Sequence, residues 1–132
     1  MIADGVKSVG ASAFMDTEHL ERLTVGKGVR QIGRSAFERC PSLKQVVVQG
    51  GVESIGKNAF RDCINLEKLI LLSGVVPEIE SGIFDNISTN FRILVPEQYL
   101  RNYLRVIEWG KYHSLFQAYH ESSQLQLAEK CP

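Results

Sequence analysis

The chain carries 132 residues, 44% of them hydrophobic, and its 15 basic side chains are balanced by 15 acidic ones. That length and apolar content suit one soluble domain with a core of its own. A neutral balance of mixed sign argues against a nucleic acid or an anionic membrane surface as partner, since either favours a basic stripe, and no apolar run is long enough to span a bilayer.

In chain order, the first feature is a repetition. Gly5-Val6-Lys7-Ser8-Val9-Gly10-Ala11-Ser12-Ala13-Phe14 returns as Gly28-Val29-Arg30-Gln31-Ile32-Gly33-Arg34-Ser35-Ala36-Phe37. It returns again as Gly51-Val52-Glu53-Ser54-Ile55-Gly56-Lys57-Asn58-Ala59-Phe60, a period of about 23 residues. A unit so short cannot bury its own apolar side, so each copy must pack on the copies before and after it. The copies close on three shared columns: Leu20, Leu43 and Leu66; Leu23, Val46 and Leu69; Val25, Val48 and Leu71. Apolar and polar residues alternate there with a period of two, which predicts strands starting near Arg22, Gln45 and Lys68 in a parallel ladder. A one-residue slip would turn every buried side chain outward, so three copies in one phase fix the register. Between the strands the reading places a short extended segment around Val6, Val29 and Val52, then a tight helical turn carrying the Ala-Phe pair. Phe14, Phe37 and Phe60 would stack as an internal spine. The repeated glycines, Gly5, Gly10, Gly28 and Gly33 among them, are assigned to turns.

Ile2 falls one period before Val25, so residues 1–4 read as the end of an earlier repeat. The array is then expected to continue upstream, with any signal or anchor there, and its apolar first rung is a candidate for self-association. Repeats are assigned to 5–27, 28–50 and 51–74. A degenerate copy over 75–95 keeps Val76, Ile79, Ile83, Phe84, Ile93 and Val95 but puts Pro77 and Ile83 where Glu53 and Ala59 stand. From Pro96 the spacing of Leu100, Tyr103, Leu104 and Ile107 predicts one amphipathic helix, broken at Trp109-Gly110. Tyr112, Leu115, Phe116 and Tyr119 form a second apolar cluster able to cover the last rung, giving a helical cap over 96–120. Residues 121–132 are polar, lack a firm period overall and are read as a flexible tail.

The order V-x-x-I-G-x-x-A-F-x-x-C-x-x-L, running from Val29 to Leu43 and again from Val52 to Leu66, resembles the BspA-like leucine-rich repeats of bacterial surface proteins and some protozoan proteins. The likeness covers roughly residues 2 to 116, and the first copy departs from it at Thr17, where the cysteine is missing. It implies an α/β solenoid: a right-handed superhelix with a parallel β ladder, short helical turns and a C-terminal helical cap. It also implies a non-catalytic protein-binding or adhesion module, extracellular and without a cofactor, whose partners are proteins, host or matrix proteins among them. The alternatives are an architectural spacer, or an intracellular scaffold or accessory domain of a larger protein.

Little else in the chain carries chemistry. Cys40 and Cys63 share one repeat position and should sit on neighbouring rungs, near enough for a disulfide, although a buried free pair is the favoured reading; Cys131 would be an exposed thiol. No spacing among the three suggests zinc, and His19, His113 and His120 are not brought together by the repeat. No nucleophile elbow, metalloprotease or phosphate-binding motif is present, so the reading is not an enzyme. Asn86-Ile87-Ser88 matches a glycosylation triplet of little weight. What remains is the outward face of the strands. Arg22, Gln45, Lys68 and Arg92 form one row there, and Thr24, Val47, Ile70 and Leu94 form another beside Leu72. An uncovered apolar row flanked by cations is the candidate protein-binding surface. The competing reading buries it as core under the 71–79 segment or the C-terminal helix.

Overall fold

The computed structural model describes residues 2–119; Met1 and residues 120–132, with His120, Cys131 and the expected tail, lie outside them. Each winding of the chain contributes one short and one long strand. These are β1 (Ser8–Val9) and β2 (Arg22–Val25), β3 (Gln31–Ile32) and β4 (Gln45–Val48), β5 (Ser54–Ile55) and β6 (Lys68–Leu71), then β7 (Glu78–Ile79) and β8 (Arg92–Pro96). The short strands form a four-stranded sheet in the order β1-β3-β5-β7. The long ones form the other sheet, where Arg22, Gln45, Lys68 and Arg92 stand opposite one another in parallel register. Ile2 makes a parallel bridge to Val25, one period on, as the sequence expects.

The main core lies between the two sheets. Phe37 stacks 5.3 Å from Phe14 and 5.5 Å from Phe60, with rings only 6° from parallel. Phe84 continues the column at 6.4 Å. Phe37 and Phe60 are wholly buried, whereas Phe14 is 36% exposed because a ring packs on it from one side only.

The turns carrying the Ala-Phe pairs are not helical. Ser12, Asp16, Ser35, Arg39, Asn58, Asp62 and Asn86 all have φ between 55° and 63°. These left-handed residues send amide hydrogens to the next rung rather than back along a helix: Ser12 N donates to Arg34 O at 2.8 Å and Ser35 N to Lys57 O at 2.9 Å.

The recurrent glycines also have another cause. Gly33 and Gly56 do not occupy the positive-φ region; they let backbones of successive rungs touch. A Cβ on Gly33 would stand 2.7 Å from the Ala11 nitrogen, and one on Gly56 would stand 2.5 Å from the Arg34 nitrogen. Gly10, at the same position in the first rung, has nothing within 4 Å. Gly33→Ala should therefore cost about 1–3 kcal/mol by overpacking, while Gly10→Ala should stay within about 0.5 kcal/mol. Urea midpoints measure both, and equal effects would contradict the close approach.

The C-terminal cap departs from the single expected helix. Pro96 ends β8, a 3-10 turn follows over Glu97–Tyr99, and α1 covers only Leu100–Leu104. The break falls at Val106, whose φ of −86° and ψ of 123° are extended, and α2 (Ile107–Gly110) contains Trp109 rather than ending before it. That extended residue turns Trp109 inward, where its indole donates to Pro77 O at 2.8 Å and its ring packs on Tyr103. Ile107, expected on the apolar side, is 87% exposed as a result. The Tyr103 hydroxyl reaches the carbonyls of Ser73 and Val75 at 3.3 and 3.2 Å, tying the cap to the loop after β6. The cap then adds a strand that the sequence reading does not contain. β9 (Phe116–Tyr119) pairs in parallel with β8, Ile93 opposite Phe116, and completes a five-stranded sheet.

Candidate protein-interaction face

Alternation within the long strands puts Leu23 and Val25, Val46 and Val48, and Leu69 and Leu71 into the main core. The residues between them face the other way. The ladder aligns Arg22, Gln45, Lys68 and Arg92 into one row, and Thr24, Val47, Ile70 and Leu94 into the next. β9 extends the second row to Gln117, which pairs with Leu94. The sequence reading misses Gln117 because Phe116 to Tyr119 is treated there only as an apolar cluster, although it alternates as a strand does.

The first row is a solvated, cation-rich edge, with Arg22, Lys68 and Arg92 exposed and Gln45 half-buried. The second row is where the repeat places it, yet it is not the uncovered patch that the sequence alone suggests. Thr24 is 5% exposed, Val47 2%, Ile70 0% and Leu94 6%. Val47, Ile70 and Leu94 make an apolar cluster of their own, separate from the main core, with Leu72 packed against it. Neither α1 nor α2 supplies the cover, because Tyr103 and Trp109 belong to the main cluster. Arg22, Thr24 and Gln45 are each engaged in contacts of their own.

The other residues of possible chemical interest resolve into structure. Cys40 and Cys63 are buried free thiols. Cys63 Sγ donates to Phe37 O at 3.0 Å and Cys40 Sγ to Phe14 O at 3.2 Å, so each thiol satisfies the carbonyl of the spine residue one rung back. Contact with Cys40, followed by burial, pushes the Cys63 thiol above its ordinary range, while the contact with Cys63 lowers Cys40, so of the two it is Cys63 that is held away from the reactive thiolate. On the turn edge Arg39 grips Asp16 through two bonds of 2.7 and 3.0 Å, and the guanidinium holds that carboxyl below the usual carboxylate range. Asn86 of the glycosylation triplet donates to Asp62 at 3.0 Å. His19 and His113 are exposed, and among the described residues no group of three or more His, Cys, Asp or Glu could hold a metal. No described helix is long and apolar enough to cross a membrane. At the first rung a hollow of about 460 Å³ is lined by Ile2, Val6, Val9, Ala13 and Phe14.

Comparison with protein families matches the model described as the BspA type leucine rich repeat region, in 6 copies, to residues 1–103. Comparison with curated proteins finds no match.

Proposed function

Since the chain belongs to the BspA-type leucine-rich repeat family, we propose that it is a non-catalytic binding module of a cell-surface or secreted protein, used in adhesion to other proteins. Leucine-rich repeats are protein-interaction modules, and solenoids bind through the extended face of their ladder. The single observation that carries this reading is the pair of rows on the outward face of the long strands. Arg22, Gln45, Lys68 and Arg92 stand in register beside Thr24, Val47, Ile70 and Leu94. The exposed cations of the first row, standing in line, suit an extended acidic segment of a partner protein, because the charges steer and orient it.

Binding to immobilised extracellular-matrix proteins tests this. The double variant Lys68→Glu/Arg92→Glu, changed at two exposed positions of the rim, should lose most binding, and binding by the unaltered chain should weaken as salt rises. Lys57→Glu, on an exposed turn away from that face, should bind as before. No binding at all, or equal binding by the rim variant, would sink the proposal. The apolar hollow at the first rung supports a further contact of the same module, self-association through that end.

A further inference from the structure

The outer face of the short-strand sheet changes character along the stack. Its outward positions run Ser8, Gln31, Ser54 and Glu78 in register, and the residues that follow each strand run Gly10, Gly33, Gly56 and Glu80. Carboxylates thus enter both columns only at the degenerate copy. Two hollows open on this face and share Glu78 and Ile79. One, of about 330 Å³, runs from Gln31 across β5 to Glu80. The other, of about 430 Å³, continues past Val76 and Val106 to Glu108 in α2. Among the described residues no Lys or Arg lines either hollow, and Glu78 and Glu108 stand in no ion pair. Glu80 is held in place by accepting a hydrogen bond from Lys57 N at 2.7 Å.

We propose that this groove is a docking site for an extended basic segment of a partner protein, whose Lys or Arg side chains lie along it. Charge and dimensions both select that occupant. Glu78, Glu80 and Glu108 bring three negative charges to an otherwise largely apolar channel. Val76, Ile79 and Val106 can take the aliphatic stem of a lysine or arginine while a carboxylate meets its head. Among the described residues no three such groups are placed to hold a metal ion, so the matching positive charge is spread along a chain rather than gathered on one ion. From β3 past β7 the channel covers more than two strand spacings of about 4.8 Å, which is more than one side chain fills. A second folded copy does not suit the face: stable pairs bury about 800 Å² per partner. Four strands of two residues each present only roughly 7 Å by 14 Å. The groove lies on the other sheet from the cationic row and does not depend on adhesion through that row.

Titration of the isotope-labelled chain with a short capped peptide of alternating lysine and glycine tests the site by NMR. Amide signals of Ser54, Gly56, Ile79 and Glu108 should move and saturate, while those of Val46 to Val48 stay. Glu78→Gln/Glu108→Gln, at two exposed positions, should weaken the affinity about five- to tenfold. Glu18→Gln/Glu67→Gln, exposed and away from the groove, should leave it unchanged. Ser54→Gln, which copies the side chain of Gln31 one rung back, should also weaken binding, because it narrows the channel without altering its charge. Equal weakening by the two Glu pairs, or an affinity untouched by Ser54→Gln, would mean diffuse attraction and overturn the proposal, as would no binding. Shifts at the same residues that grow with the concentration of the chain alone would give the groove to a second copy and overturn it too. Lys68→Glu/Arg92→Glu should bind the lysine peptide undiminished. Matrix binding that fails while the peptide still binds therefore rejects adhesion alone, and the converse result rejects the groove alone.

Discussion

Phe37→Ala is expected to remove about 3–5 kcal/mol of stability, the range for deleting a large buried aromatic ring. Phe37 should fall at the top of that range because its site cannot collapse. Its ring is wholly buried between Phe14 and Phe60 at 5.3 and 5.5 Å. The rungs above and below are held apart by backbone bonds, Phe14 N to Ala36 O at 2.8 Å and Phe37 N to Ala59 O at 2.9 Å. The walls of the void therefore cannot close on it. A domain of this size is stable by only about 5–15 kcal/mol, so one substitution removes a large share. Phe14→Ala provides the contrast: 36% exposed and stacked from one side, its ring should cost well under half as much. Chemical denaturation of the two variants measures the difference. A near-neutral Phe37→Ala, or two equal losses, would contradict the load-sharing column of rings.

The parts of this fold legible in the sequence are those that recur. Register, the parallel ladder, the aromatic column, the buried thiol pair and the bridge from Ile2 to Val25 each follow from one pattern written several times, so a chance match in one copy is corrected by the others. What occurs once is less legible. The break at Val106 is set by a hydrogen bond from Trp109 to a carbonyl more than one repeat away, which helical spacing cannot report. β9 has no second copy to expose its alternation. Even within the repeats, a glycine column looks the same whether it serves a left-handed turn or a backbone contact. In the regular copies the positive-φ work falls instead to Ser, Asn, Asp and Arg, and a glycine, Gly82 at 77°, takes it only in the degenerate copy. The period places the outward rows in register, but their solvent exposure depends on what lies over them, and alternation within a strand says nothing of that.

Trp109 is where the cap should fail. Trp109→Ala removes a fully buried ring that packs on Tyr103 at 5.4 Å, Phe116 at 6.0 Å and Phe84 at 6.1 Å, and should cost about 3–5 kcal/mol. Trp109→Phe keeps much of the ring but strands the buried Pro77 carbonyl that the indole satisfies at 2.8 Å, and should cost about 1–3 kcal/mol. The location of the damage is as informative as its size. In a stack whose rungs touch only their neighbours, a lesion at one end loosens that end first. Amide hydrogen exchange in Trp109→Ala should therefore accelerate at Ile93 to Val95 and Phe116 to Ala118 well before Val46 to Val48. Phe37→Ala, a lesion in the middle, should accelerate both. If Trp109→Ala loses protection evenly from β2 to β9, the sheet unfolds as a single unit, and the cap does not seal one end of a stack but holds the whole of it.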